Sequence, residues 1–461
     1  MAYLSPSLYM VTIEQLYALY RQHPQICTDS RSIQPGSIFW ALRGERFDGN
    51  RFARQALDAG AAYCIVDSRD GQTDPGRCLL VSDTLEALQL LATHHRKQLH
   101  IPVIAIGGSN GKTTTKALVA AVLRQHYTCS ATEGNLNNHI GVPLTLLSIP
   151  PTAEVAVVEM GTNQPGDLDL LCQIAQPTHG LLTNIGKEHL EKLGSIAGVK
   201  KAEGELFDYL AHYDGCAFVN LSEKHLKTLA RRVRKKIFYA EINADSRRLL
   251  PPGTLVVKRL PPDPFVRAQF SAEPSQSMEV RTQLLGLHNF HNVMTAIAVG
   301  LYFKVPAEKI KTAIEAYCPE NNRSQIIAWG NNTIFLDAYN ANPSSMEAAL
   351  GVLKEAEAQR KVAILGDMLE LGQATEAEHR ALIRRVERAG VDQSVFVGPL
   401  FSQYRPKRSK SLFFPDVSAA REWFSRQRFE HAFLLIKASR GVGLEKLLTF
   451  SDLSEATQRL H

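Results

Sequence analysis

A chain of 461 residues, 44% of them hydrophobic, carries enough apolar material for two or three packed cores, and it contains no low-complexity tract. No apolar run approaches the roughly 18 residues a bilayer-spanning helix needs, and no basic stretch followed by an apolar core opens the chain, so a cytoplasmic protein with no membrane span is expected. The formal charge of +6 is mild and suits a small anionic substrate; the basic clusters at residues 231–236 and 405–410 carry no interleaved aromatics, which favours solvated surface over nucleic-acid binding.

The chain begins with a capping-box pattern, Thr12-Ile13-Glu14-Gln15, that predicts a helix with Leu16, Leu19 and Tyr20 on one face. Strands are expected over 37–42 and 62–66 with a helix over 51–59 between them, a small α/β unit of about 80 residues. Within it, Asp29-Ser30-Arg31 reads either as an Asx-type turn or as a polar loop that holds a substrate's head group. A helix over 84–96 leads to the most informative stretch of the chain.

That stretch is an apolar strand ending near Ile106, then Gly107-Gly108-Ser109-Asn110-Gly111-Lys112-Thr113-Thr114-Thr115, then a helical pattern carrying Ala117, Val119, Ala120, Val122 and Leu123. Glycines let successive N–H groups converge on anionic oxygens, and the helix N-terminus adds its partial positive charge. Lys112 would reach the outer phosphates and the Thr113 hydroxyl would hold magnesium, with ATP as the occupant. The longer form of this loop has a glycine where Ile106 stands, so residues 108–113 are a shorter variant. A glycine-rich turn with an incidental lysine is the bland alternative.

Downstream, the amide-rich loop from Thr132 to Pro143 includes Asn137 and Asn138, either solvent-facing or touching a ligand. A buried strand over 155–158 ends at Glu159. Because ligands in open α/β sheets lie beyond the carboxyl ends of the strands, this carboxylate is the natural magnesium partner of Thr113. A strand over 180–183 likewise ends before Asn184-Ile185-Gly186-Lys187-Glu188-His189-Leu190, placing His189 at a candidate metal position. Helix and strand material follows through Lys200 to Ala240. A strand over 280–287 is expected to lead into an apolar helix whose N-terminal cluster, with Asn289 and Asn292, could contact a nucleotide base or phosphate. The last segment starts with Asn322-Arg323-Ser324-Gln325. Its strands, expected over 333–336, 361–365, 394–398 and 431–437, alternate with helices, one of them capped by Asn342 with Pro343 at its first position. This is a Rossmann-like pattern. The seven cysteines are scattered without Cys-x-x-Cys spacing, which argues for reduced thiols and against a disulfide framework or zinc site.

Taken together, these pieces resemble the Mur ligase family, which builds bacterial cell-wall peptides. The family loop Gly-(Thr/Ser)-Asn-Gly-Lys-Thr matches Gly108 to Thr113, and the stretches Asp29-Ser30-Arg31, Gly134-Asn135-Leu136-Asn137-Asn138, Asn184 to Leu190, Asp337-Ala338-Tyr339-Asn340-Ala341-Asn342-Pro343 and Gly366-Asp367-Met368-Leu369-Glu370-Leu371-Gly372 follow in the family's order. The resemblance implies three α/β domains: a small UDP-sugar domain (1–83), a central ATP-binding domain with a phosphate-loop parallel sheet (84–318) and a C-terminal Rossmann-like domain for the amine substrate (319–461).

It also implies an ATP-dependent amide ligase, a monomer, acting in cytoplasmic peptidoglycan precursor synthesis. Such an enzyme joins D-alanyl-D-alanine to UDP-N-acetylmuramoyl-tripeptide through an acyl phosphate, with Mg2+. Residues carry over position by position. Lys112, Glu159, His189 and Arg323 would be catalytic, and Gly108, Ser109, Asn110, Gly111, Thr113, Thr114, Asn289, Asn292 and Asp337 would hold ATP. Asp29, Ser30, Arg31, Asn137 and Asn138 would hold the UDP substrate, and Asn340, Asn342, Asp367, Met368 and Glu370 the amine. Relatives carry a lysine modified by carbon dioxide to a carbamate that helps hold a second magnesium. Here Glu203 falls at that position, so the expected metal ligands are Thr113, Glu159, His189 and Glu203, with Lys200 or Lys201 in a slipped register as the competing idea. A sibling that adds the third peptide residue shows Asp-Asn-Pro-Arg, absent here. Folylpolyglutamate synthetase, a phosphate-loop kinase and a nucleotide-gated binding module are the other readings.

Overall fold

In the computed structural model, residues 11–242, 250–273, 276–319 and 322–448 are described. These described residues fall into two compact units, one made of those within 11–105, 127–161 and 167–179, the other of those within 106–126, 162–166 and 180–448.

The first unit opens on the helix Ile13–Gln22, where the Thr12 side chain accepts from Gln15 N and the Gln15 side chain accepts from Thr12 N, the predicted capping box. Its parallel four-stranded sheet runs Ile26–Cys27, Ile38–Trp40, Tyr63–Val66, Cys78–Leu80 in spatial order. Parallel strands are covered on both faces, and accordingly Ile38, Phe39 and Trp40 are all buried. The helix Thr84–Gln98 is capped by Asp83 and tied down by Arg96, which donates to the carbonyls of Leu99, Ala175 and Gln176. The strands Cys129–Ala131 and Val155–Glu159 pair in parallel.

In the second unit the end of the strand Val103–Gly107 feeds the helix Lys112–Leu123, which packs against the helix Leu287–Tyr302. Strands Cys216–Asn220, Lys235–Glu241 and Leu255–Asp263 pair in parallel, and Leu255–Asp263, Phe265–Glu273 and Gln276–Arg281 then turn antiparallel. Here the structure departs from expectation. The strand ends at Arg281 and not at Leu287, and the meander before it was not foreseen because Pro261 and Pro262 sit inside its first strand, at an irregularity in the register.

The C-terminal sheet is closer to its expected pattern: Gln325–Trp329, Asn332–Leu336, Ala432–Lys437, Arg360–Gly366, Gln393–Val397, Leu412–Phe414, with only the first pair antiparallel. Its two faces carry separate apolar clusters, one around Phe335, Leu365 and Phe396, the other around Ile334, Ile364 and Ile436. Alternate residues of each strand divide between them, as the two-residue side-chain period requires. Asn342 caps the helix Pro343–Glu355 as predicted. All seven cysteines are free thiols. Among the described residues no helix is long and apolar enough to cross a membrane.

A lysine ends the buried strand Ala432–Lys437. Its side chain is 2% exposed, and its ammonium lies 2.5 Å from Asp337 Oδ2 and donates to the Asn340 carbonyl at 2.9 Å. Burial works to raise the Asp337 carboxyl, but the Lys437 ammonium overrides it and leaves the carboxyl below its ordinary range. Removing one partner of a buried pair strands the other charge. Lys437→Met is therefore expected to cost about 3–5 kcal/mol in urea unfolding, with part of the loss recovered in a Lys437→Met/Asp337→Asn double variant; a single-variant cost below ~1 kcal/mol would show that the pair is not the tie described.

Candidate functional site

The phosphate loop is shaped by two glycines. Gly108 has φ +109° and Gly111 φ +83°, and a Cβ would lie 2.3 Å from Thr183 Oγ1 at the first and 2.7 Å from Asn292 Oδ1 at the second. Only a residue without a side chain fits either position. The loop is stitched to the chain after the strand His179–Leu182: Ser109 N donates to Asn184 O (2.9 Å), Asn110 N to Asn184 Oδ1 (3.2 Å), Asn184 Nδ2 to Asn110 O (2.8 Å) and Gly186 N to Ser109 Oγ (2.8 Å). The helix starting at Lys112 directs its positive dipole end at the loop.

Lys112 folds back over this loop, its ammonium 2.5 Å from the Gly108 carbonyl and 3.7 Å from Glu188 Oε2. Below the loop, on the helix Ile196–His212, Glu203 is fully buried, and its Oε2 accepts from Gly108 N at 2.7 Å. Burial, and then the neighbouring Glu188 charge, push the Glu203 carboxyl up from 4.5 to about 8, against the pull of Lys112 and of the Gly108 N–H.

The C-terminal segment reaches the same loop. Asn342 Nδ2 donates to Asn110 Oδ1 at 2.9 Å, and Lys187 N donates to Ser344 Oγ at 2.9 Å. His189 Nδ1 lies 2.7 Å from Glu370 Oε2, and both residues hold positive φ, 43° and 63°. That is an uncommon backbone state for non-glycine residues, and it is held in place here by their mutual contact. The hydrogen bond from His189 pulls the Glu370 carboxyl below its ordinary range. The Arg323 guanidinium stacks 3.5 Å over the Tyr339 ring, and Arg440 approaches the same ring at 5.3 Å.

Several of the expected ligand contacts serve inside the protein. Asn292 accepts from the Thr115 hydroxyl (3.0 Å) and donates to Asn289 Oδ1 (3.0 Å), while Asn289 donates to Leu285 O (2.9 Å), so the pair fastens the loop helix. Both lie inside the helix Leu287–Tyr302 and are buried. Asp367 is buried and accepts from the N–H groups of Leu400 and Phe401 at 2.9 Å each, and Met368 is buried beside it. Asp337 accepts from Ser324 N and pairs with Lys437. Asn340 accepts from Ala341 N.

In the first unit, Asn137 Nδ2 donates to Glu159 Oε1 (2.8 Å) and Glu159 N to the Thr132 hydroxyl (3.0 Å), which fixes the carboxylate at the end of its strand. Asn138 Oδ1 accepts from Ile140 and Gly141 N. Asp29 forms the Asx-type turn with Arg31 N and pairs with the Arg31 guanidinium, whose hydrogen bonds hold the carboxyl down at about 2.

Among the described residues no three His, Cys, Asp or Glu side chains gather at metal-holding distances. Magnesium suits such a site, because it is bound through one or two carboxylates plus phosphate oxygens and water. Glu188 and Lys437 were not singled out by sequence. The signals were present, a carboxylate beside His189 and a lysine ending a six-residue buried strand.

Three family models match the chain: "Mur ligase family, catalytic domain" over residues 24–96, "Mur ligase middle domain" over 106–300 and "Mur ligase, glutamate ligase domain" over 322–459. The chain belongs to the Mur ligase family. Among Mur ligases it is 32% identical to the UDP-N-acetylmuramoyl-tripeptide–D-alanyl-D-alanine ligase of Bacillus subtilis, covering 94% of this chain and 93% of that one. It is 33% identical to the ligase of the same name from Escherichia coli, covering 92% of each. A crystal structure of MurF from Acinetobacter baumannii superposes with a TM-score of 0.82 at 30% identity, covering 96% of this chain and 98% of that one. The Thermotoga maritima MurF complex with ADP, at 24% identity, shares the fold with a TM-score of 0.80. The three-domain α/β Mur ligase fold is thus the fold of this chain.

The raised Glu203 carboxyl has a consequence for stability. In the folded chain it keeps a proton up to about pH 8, whereas the unfolded chain releases it near 4.5. The folded state then binds more protons across that window, so this contribution to stability is complete below about 4.5 and is lost as pH rises towards 8. In chelator-treated buffer, Glu203→Gln should flatten the fall in unfolding free energy between pH 5.5 and 7.5. Parallel pH slopes for the two proteins would contradict the shift.

Proposed function

We propose that this chain is the ATP-dependent Mur ligase that joins D-alanyl-D-alanine to UDP-N-acetylmuramoyl-tripeptide in cytoplasmic peptidoglycan precursor synthesis. The observation that carries the reading is the Asn342–Asn110 hydrogen bond, which brings the amine-side motif of the last segment onto the phosphate loop in one compact unit. A ligase needs that juxtaposition, because the acyl phosphate made at the loop must meet an amine before it meets water.

The chain's groups divide the work. The loop and the helix dipole seat the triphosphate, and Lys112 swings from the Gly108 carbonyl to the outer phosphates. The tripeptide carboxylate attacks the γ-phosphorus to give acyl phosphate and ADP. The amine of the dipeptide then attacks the acyl carbon, and phosphate leaves. Two anions must approach in the first step, so cationic groups at the developing charge supply most of the catalysis. Arg323, stacked over Tyr339, is the proposed source of a guanidinium contact to phosphate oxygens, beside the ammonium of Lys112. Magnesium, when bound, supplies further charge neutralisation; Thr113, Glu159, His189 and Glu203 are the proposed protein ligands. A Nδ1–H donated to Glu370 leaves His189 Nε2 as the lone-pair nitrogen, the arrangement in which a carboxylate orients a metal-binding histidine.

Phosphate release from ATP and Mg2+ should require both the UDP-muramoyl tripeptide and D-alanyl-D-alanine. Release with a dipeptide substrate and a diamino acid instead would identify the sibling ligase, and no release in any combination would leave a nucleotide-binding module. Lys112→Met should lower kcat by about 100-fold or more while the melting temperature stays within a few degrees; full activity in that variant would remove Lys112 from the phosphate site.

A further inference from the structure

Three strands of the C-terminal sheet, Asn332–Leu336, Ala432–Lys437 and Arg360–Gly366, lie side by side and parallel. Past Leu336 and Gly366 the chain turns to one face, where Met346 and Leu382 pack in the cluster of Phe335 and Leu365. Past Lys437 it turns to the other face, where Leu444 and Leu447 pack in the cluster of Ile364 and Ile436. Neighbouring parallel strands whose connections part to opposite faces leave a crevice beyond their carboxyl ends, and that is where open α/β sheets bind ligands. Ser439 ties the three segments around this crevice together. Its Oγ accepts from Leu369 N at 2.9 Å and donates to Ala341 O at 3.1 Å, and its N–H donates to Asp367 O at 3.1 Å. Residues 337–343, 366–372 and 437–443, which form those segments, carry two cations, Lys437 and Arg440. The Lys437 side chain is buried against Asp337. Arg440 is exposed and pairs with no carboxylate among the described residues, and its guanidinium lies 5.3 Å from the Tyr339 ring, on which Arg323 stacks at 3.5 Å.

We propose that Arg440 receives the free carboxylate of the incoming dipeptide and so selects an amine substrate that ends in one. The inference rests on the ligase reading above and names the group that reads its acceptor. A planar guanidinium grips a carboxylate through two parallel hydrogen bonds, and an aromatic face beside it holds the long side chain where the carboxylate arrives. Two of the residues expected to hold the amine substrate, Asp367 and Met368, are buried, and the Asp367 carboxylate is taken up by the N–H groups of Leu400 and Phe401. Recognition of the dipeptide's charge therefore falls to an exposed neighbour. The crevice also has a direction. Asn342, next to Ala341, holds Asn110 of the phosphate loop, and Arg440 follows Ser439, so the two flank the Ala341–Ser439 hydrogen bond. The amine reacts at the Asn342 end and the carboxylate is held at the Arg440 end. Of the two guanidiniums on Tyr339, Arg323 then serves the phosphates and Arg440 the acceptor.

The test measures phosphate release by the full chain at saturating ATP, Mg2+ and UDP-muramoyl tripeptide, with either D-alanyl-D-alanine or its C-terminal carboxamide as acceptor. The wild type should favour the free acid in kcat/KM by roughly 10- to 100-fold, the worth of hydrogen bonds to a charged group. Arg440→Gln should raise the KM for the free acid by a similar factor, leave the KM for ATP where it was and bring the two acceptors level, with a thermal melt confirming that the variant is folded. Arg440→Lys, which keeps the charge, should recover part of the preference. Equal use of the two acceptors by the wild type overturns the inference without any variant being needed. So does a folded Arg440→Gln that keeps the preference, or one whose KM rises for ATP and not for the dipeptide, which would put Arg440 on the phosphates beside Arg323. A wild type that releases no phosphate with both substrates fails the ligase reading and takes the inference with it, whereas turnover without discrimination fails the inference alone.

Discussion

The fold of the second unit turns on the seating of one short loop. Residues 108–111 can adopt their path only because Gly108 and Gly111 present no side chain to Thr183 and Asn292, and the path is then held by a reciprocal amide lattice with Asn184. Each of these bonds is worth about 1 kcal/mol net; their effect is less to stabilise than to remove alternatives. A loop whose N–H groups are aimed before the ligand arrives loses little conformational freedom on binding, which is where preorganised sites gain affinity.

From that seat, consequences pass outward through side chains that serve the loop and not the ligand. Asn292 and Asn289 clamp the helix Lys112–Leu123 from behind. Glu203 holds the first loop N–H from below, and Asn342 fastens the C-terminal segment at the side while also capping its own helix. The double use of Asn342 means that the helix Pro343–Glu355 and the loop share one residue. A shift of that helix would be felt at Asn110.

The backbone of this machinery was legible in the sequence because its signals are local. Apolar runs ending in Gly-rich or Asx-rich turns gave the parallel strands, and Asn342-Pro343 gave a helix start correct to the residue. The loop itself could be read because its glycines, lysine and threonine are adjacent. The meander at Leu255–Arg281 could not, since its prolines mimic a loop while a break in the ladder register between Leu260 and Asp263 tolerates them. Site roles were harder for a related reason. Asn289 and Asn292 look like ligand groups at a helix start, yet their partners are Leu285, four residues back, and Thr115, 177 residues away. A single chain shows what a side chain can bond to, and only the fold shows which partner reaches it first.

Glu188 illustrates the limit most sharply. Beside His189 in sequence, it reads as one more polar residue of a turn, and nothing local marks it as buried. In the fold it meets Lys112 and comes up against Glu203, although 76 and 15 positions separate them in the chain. The arrangement is energetically unfavourable as it stands, because a buried like-charge pair raises the cost of ionising either member. A proton offsets that cost: with the Glu203 carboxyl raised to about 8, at neutral pH it stays neutral beside Glu188, and the Lys112 ammonium faces the one remaining charge.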